Sequence, residues 1–291
     1  MIALTIGLAV FVGIALGLLG GGGSILTVPL LAYVAGMDAK AAIATSLLVV
    51  GVTSAIGAVS HARAGRVQWR TGLVFGAAGM AGAYAGGLLA RFIPGTVLLI
   101  GFAVMMIATA VAMLRGRKNV AAAAGEHRLP VPKIIAEGLV VGLVTGLVGA
   151  GGGFLVVPAL ALLGGLPMPV AVGTSLIVIA MKSFAGLAGY LSSVHINWTV
   201  ALGVTAAAVV GALIGARLTA MVDPDSLRKA FGWFVLLMSS VILAEEIHLG
   251  VGIAAAVITV VAAAVTYVCH RYDHCPLHRL IRPSTSGRAA A

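Results

Sequence analysis

Apolar runs, separated by short clusters of charge, proline and glycine, divide the chain at about 2–35, 40–60, 72–90, 96–114, 134–164, 169–192, 198–220, 230–244 and 249–269. Most approach the ~20 residues that a membrane-spanning helix needs. The first and fifth are too long for one crossing. Each is interrupted by a glycine cluster, Gly20 to Gly23 and Gly149 to Gly153, which splits it into a helix of about 17 residues and a shorter piece of about 12. At 1.5 Å per residue the short piece rises ~18 Å, less than the ~30 Å hydrocarbon core. It is therefore expected to form a re-entrant pair with the helix before it, two full crossings being the alternative.

A shift of 129 positions superposes the two halves without a gap over about seventy residues. Gly13, Gly17, Gly20, Gly22 and Gly23 meet Gly142, Gly146, Gly149, Gly151 and Gly152. Pro29 meets Pro158, Thr45-Ser46 meets Thr174-Ser175, Ser54 meets Ser183, Trp69 meets Trp198, and Gly82 and Gly86 meet Gly211 and Gly215. Chance alignment of Gly/Ala/Leu-rich segments does not keep Trp, Pro and Thr-Ser in one register, so the sequence predicts an internal duplication.

Composition places both repeats in lipid. Hydrophobic residues make up 61% of the 291 and charged ones 9%, and the mean hydropathy is +1.15, far outside the soluble range. The formal charge of +10 lies in short clusters between apolar runs, where the positive-inside rule accounts for it without nucleic acid as a partner. The connector from His61 to Arg70 carries Arg63, Arg66 and Arg70, while its counterpart from Tyr190 to Thr199 carries no Lys or Arg. The next connector reverses the bias, with Arg91 in repeat 1 against Arg217, Arg228 and Lys229 in repeat 2. The halves are thus expected to sit upside down relative to each other, with an odd number of crossings each.

The predicted architecture is an all-α polytopic membrane protein with two inverted-topology repeats, each containing a glycine-broken helix that is re-entrant or fully spanning, plus one extra C-terminal span. Its parts are repeat 1 over 1–118, a cytoplasmic connector over 119–133, repeat 2 over 134–247, the extra helix over 248–269 and a basic cytoplasmic tail over 270–291. Residues 1–19 are read as a retained membrane segment, because the same pattern recurs mid-chain. The two cysteines, Cys269 and Cys275, both lie in the C-terminal segment, so no disulfide framework is expected in the body.

The glycine clusters carry the clearest chemistry. Gly20, Gly21, Gly22 and Gly23 with Ser24, and Gly149, Gly151, Gly152 and Gly153, leave backbone N–H groups unpaired at membrane depth. That is tolerated where such groups line a cavity or meet a ligand. At a helix N-terminus the donors and the dipole both favour an anion. Thr45, Ser46, Thr174 and Ser175 are expected to begin the second element of each repeat and to donate to a substrate oxygen, with capping or back-bonding as the alternative. Ser54 and Ser183 lie two turns further along. Lys182 is the one formal charge deep inside a predicted helix, where Thr53 stands in repeat 1. A buried ammonium needs a cavity, a partner or an anion, and no mid-membrane carboxylate is available.

Other classes lack their signatures. Neither cluster is followed by Lys-Ser/Thr, and no βαβ context surrounds them, so no nucleotide or other cofactor is expected. A metal-cation carrier would need carboxylates, His or Cys at membrane depth. His61 and His195 sit beside connectors and read as solvated, Glu137 is a poor proton-relay candidate, and the Cys269–Cys275 segment with His278 matches no common zinc spacing. An intramembrane enzyme would need a nucleophile with its base or an HExxH helix, and no run supplies one. An assembly protein would have no use for the costly glycine breaks.

The paired stretches Gly17-Leu18-Leu19-Gly20-Gly21-Gly22-Gly23 with Pro29 and Gly146-Leu147-Val148-Gly149-Ala150-Gly151-Gly152-Gly153 with Pro158, each followed by Thr-Ser and later by Trp, resemble the sulfite exporter TauE/SafE family over about residues 5–245. The resemblance implies a secondary transporter of small anionic sulfur compounds such as sulfite, sulfoacetate or related sulfonates, in the plasma membrane of a prokaryote. The expected partners are the anionic substrate, a proton or sodium ion as coupling ion, and membrane lipid; an oligomer is compatible with the pattern, which does not specify its size. The extra span and its Cys/His-bearing tail depart from the family pattern.

Overall fold

The computed structural model describes residues 2–19, 25–114, 131–149, 156–157, 160, 166, 168–218, 224–247, 250 and 252–260, and the following concerns these. Gly20 to Ser24, Gly151 to Gly153 and the Cys269–His278 tail lie outside them. The elements are α1 (Ile2–Leu19), a short helix α2 (Thr27–Pro29) that runs on as one π turn (Leu30–Val34), α3 (Ala39–Arg63), α4 (Trp69–Leu89), α5 (Gly95–Leu114), α6 (Val131–Val148), α7 (Met168–Leu191), α8 (Trp198–Leu218) and α9 (Pro224–Glu246). Residues 252–260, within the expected extra span, are also helical. Among the described residues there is no strand.

Four of these helices, α3, α4, α7 and α8, are long and apolar enough to cross a membrane. The elements begin and end close to the hydropathy boundaries, with one informative difference. Thr45-Ser46 and Thr174-Ser175, expected at helix starts, lie in the second turn, because α3 begins at Ala39 and α7 at Met168. In α3 the reason is Asp38, whose carboxylate accepts from the Lys40 backbone N at 3.1 Å and caps the helix early. The Lys40 ammonium then donates to the Arg91 carbonyl at 3.2 Å, fixing the start of α3 to the turn that follows α4.

α3 and α7 form the centre. Their apolar stretches are 72% and 67% buried, against 44% and 39% for α4 and α8. They meet antiparallel. The Phe184 ring lies over Gly51, a Leu176 methyl over Gly57 and a Leu47 methyl over Gly186, so one number falls as the other rises. α4 and α6 instead run in the same direction: Gly82 is against Leu139 and Leu143, and Gly86 against Leu143 and Leu147.

The tightest contacts exchange helices between the repeats. The first helix of each half packs on the fourth-helix counterpart of the other, α1 on α8 and α6 on α4. Gly13 abuts the Ala208 backbone and Gly17 that of Ala212; 129 residues on, Gly142 abuts Gly79 and Gly146 abuts Ala83. Reciprocally, Gly82 sits on Leu139 and Leu143, while Gly211 sits on Val10 and Ile14. In each case a methyl group on the glycine would fall inside a backbone carbonyl of the partner. In lipid there is little hydrophobic force between helices, so association depends on such close backbone approach.

This packing yields a paired expectation. Gly82→Val and Gly211→Val should each lower the thermal midpoint of the detergent-purified protein to a similar degree, by at least the 1–3 kcal/mol typical of overpacking. Gly101→Ala, at a position with no neighbour within 4 Å, should leave it unchanged or raise it. Equal tolerance of all three would refute the exchanged crossings.

Candidate functional site

The end of α6 shows how a glycine break is held. Gly149 has φ +73°, a conformation open to glycine and unfavourable for residues with a Cβ. Its N–H still bonds the Thr145 carbonyl at 2.9 Å. Its own carbonyl, which the helix leaves without a partner, accepts from Ser46 Oγ of α3 at 2.8 Å. Ser46 Oγ also lies 2.8 Å from the Ile43 carbonyl. A Cβ at Gly149 would run into the Ile43 side chain. Two residues back, the Leu147 carbonyl accepts from the Tyr190 hydroxyl of α7. Both central helices therefore clamp the end of α6.

The other hydroxyls divide into satisfied and unsatisfied groups. Ser175 Oγ donates to the Val172 carbonyl at 2.8 Å, and Thr174 Oγ1 accepts from the Gln68 backbone N at 2.9 Å, which ties the start of α7 to the turn before α4. Thr45, on α3, is fully buried and its Oγ1 has no hydrogen-bond partner. The same holds for Thr27 on α2 and for Ser183 on α7.

Lys182 is the most consequential of these groups. It is 2% exposed, its stem crosses Gly79 of α4 with Cδ at 4.0 Å from where a Cβ would stand, and its ammonium has no hydrogen-bond partner. Its counterpart on α3, Thr53, hands its proton to the Val49 carbonyl at 2.7 Å and is satisfied within its own helix. The two repeats thus differ in that a lysine stands on one side only. The antiparallel register of Leu47 with Gly186 and Gly51 with Phe184 sets Thr45 about a turn and a half from Lys182 and Ser183 along the α3–α7 pair.

Of the sequence-predicted residues, Thr45 and Lys182 are thus buried with free polar atoms, Ser46 and Gly149 form the clamp, and Thr174 and Ser175 bond to backbone. Sequence reasoning passed over Thr27 and Tyr190. Thr27 stands where the second repeat has Val156, so the duplication gave no signal. Tyr190 could have been flagged as a phenol in an apolar helix. His61, expected as solvated, is half-buried with an unpartnered Nδ1, because α7 packs on it at Gly173. His195 is exposed. Among the described residues no three His, Cys, Asp or Glu side chains gather into a metal-sized cluster. A cavity of about 330 Å³ between the π turn, α3, α5 and α9, where the Tyr33 hydroxyl lies 3.3 Å from Glu246 Oε1, contains none of the expected residues.

The profile described as "Sulfite exporter TauE/SafE" matches residues 5–242. A "Probable membrane transporter protein" of Xylella fastidiosa strain Temecula1 is 36% identical over 242 residues, covering 80% of this chain and 91% of that protein. The "Probable membrane transporter protein YunE" of Bacillus subtilis strain 168 is 32% identical over 224 residues, covering 69% and 82%. An archaeal relative, "Probable membrane transporter protein MJ0441" of Methanocaldococcus jannaschii, is 32% identical over 130 residues, or 43% and 48% of the two chains. No solved structure matches significantly.

The clamp is directly testable. Ser46→Ala leaves the buried Gly149 carbonyl without its donor and should cost about 1–3 kcal/mol, read as a lowered thermal midpoint. Ser60→Ala, which removes an exposed bond within α3, should change it little.

Proposed function

Because the chain belongs to the sulfite exporter TauE/SafE family, we propose that it is a secondary transporter that carries a small anionic sulfur compound, sulfite, sulfoacetate or a related sulfonate, by alternating access. The observation that carries this reading is Lys182. A buried ammonium without a carboxylate or hydrogen-bond partner among the described residues costs several kcal/mol, and a bound anion relieves that cost. A metal cation at the same place would be repelled.

In this reading Lys182 supplies the positive charge, and Thr45, Ser46, Thr174 and Ser175 lie on the helices that frame the anion. Gly20 to Gly23 with Ser24, and Gly151 to Gly153, are the backbone N–H donors this reading assigns to the anion, while the Gly149 N–H is already bonded to the Thr145 carbonyl. Ser46, Thr174 and Ser175 bond elsewhere in the described conformation, so they reach substrate only if rearrangement frees them. Thr45 and Ser183 are free already, which makes them the nearer donors.

Inverted topology of the repeats is supported by the antiparallel meeting of α3 and α7, which occupy equivalent positions, and by the opposed arginine bias of the connectors. Rocking of one repeat against the other would expose the site to each side in turn. A proton or sodium gradient drives the cycle, in the plasma membrane of a prokaryote; relatives in bacteria and an archaeon support that location.

Proteoliposomes holding the purified chain should take up labelled sulfite or sulfoacetate when a proton or sodium gradient is imposed, and the effective gradient names the coupling ion. Lys182→Met should reduce that flux at least ~30-fold, the lower end of the effect of removing one partner of a buried charge pair, with insertion unchanged. Undiminished flux in Lys182→Met would remove the lysine from the site, and no flux of either compound through sealed vesicles would reject the substrate class.

A further inference from the structure

The two repeats differ at one place where the difference opens a cavity. On one side of the α3–α7 pair the Phe184 ring covers Gly51, 3.3 Å from where a Cβ would stand. The shift of 129 residues carries this pair onto Ala55 and Ala180 on the other side. With a methyl group in place of the ring, the space remains as an apolar groove of about 280 Å³, lined among others by Ala55, Ala58, Ala62, Trp69, Ala180 and Met181. The second repeat has Leu187 and Leu191 where Ala58 and Ala62 stand, while the exchanges of Val59 for Ala188 and of Met181 for Val52 run the other way.

Charge accompanies the cavity. The groove reaches Ala62 and Trp69 at the facing ends of α3 and α4, and the turn between those helices carries Arg63, Arg66 and Arg70, all exposed. The corresponding residues of the second repeat are Ser192, His195 and Thr199. An open apolar groove and three guanidinium groups thus occur together on one side, and both are missing from the duplicated side.

We propose that this groove binds an anionic phospholipid, with one acyl chain along the alanines and the phosphate on Arg63, Arg66 and Arg70. Guanidinium matches phosphate geometry, tryptophan favours the headgroup level, and basic clusters at the end of membrane helices read as sites for acidic lipid. A second copy of the chain is a poorer occupant, since a two-fold contact would bring the arginine cluster onto itself.

Native mass spectrometry of the full chain, released from detergent holding equal phosphatidylglycerol and phosphatidylcholine, tests the proposal. The unmodified chain should retain phosphatidylglycerol preferentially. The triple variant Arg63→Gln, Arg66→Gln, Arg70→Gln alters only exposed side chains, and its preference should fall on the order of a hundredfold, from the usual contribution of three basic groups at an anionic surface. Ala55→Phe with Ala58→Leu installs the residues of the second repeat and should lose the bound lipid, with helical content checked by circular dichroism. Equal retention of both lipids by the unmodified chain, an unchanged preference in the triple variant, or lipid kept by a folded groove-filled variant would each overturn it. So would a dimer that filling the groove dissociates, because the occupant would then be a second copy.

Discussion

Backbone-to-backbone crossings hold the protein together, α1 on α8, α6 on α4 and, through Gly87 and Gly189, α4 on α7, each made where glycines from one half meet main chain of the other. In hydrocarbon, apolar side chains gain little by leaving lipid for one another, so helices this close depend on dispersion contact over their bare backbones. Everything else rests on the frame these crossings make. They hold α3 and α7 against each other in the middle, and the clamp on the end of α6, at Leu147 and Gly149, is built from those two helices. The central pair also carries Lys182, Ser183 and Thr45.

That frame lets an otherwise unfavourable arrangement persist. Buried hydroxyls in membrane helices ordinarily donate to the carbonyl one turn back, as Thr53, Thr145 and Thr205 do. Among the described residues Thr27, Thr45 and Ser183 lack that bond, and the Lys182 ammonium has no hydrogen-bond partner. Unpaired buried groups each cost on the order of 1–3 kcal/mol, and more for a charge. Their concentration on α2, α3 and α7, the elements beside the glycine breaks, identifies where the molecule holds polar capacity in reserve. A ligand of the right sign recovers part of that cost on binding.

Much of this was legible in the sequence. The glycines of the crossings repeat in one register, Trp198 begins α8 where the hydropathy bound put it while Trp69 begins α4 three residues before its bound, and a lone lysine in an apolar run reads as buried. What could not be read depends on residues far apart in the chain. Ser46 takes a carbonyl 103 positions away, and nothing beside Ser46 announces Gly149. Thr174 accepts from Gln68 across the α7–α4 contact, 106 positions apart. The start of α3 was available locally, since Asp38 before an apolar run is a capping signal and the run itself opens at about 40; placing Thr45-Ser46 at the helix start disregarded both.

The exchange of helices between the halves also bears on how the chain is made. Gly13 emerges early in synthesis, yet its backbone partner Ala208 follows roughly 200 residues later, on the order of 10 to 40 s at ordinary translation rates. During that interval α1 lies in the bilayer with its glycine face turned to lipid or to whatever chaperone covers it. By contrast α6 meets α4 already made. One of two nearly equivalent contacts therefore closes as it is synthesised, while the other waits until α8 has been made.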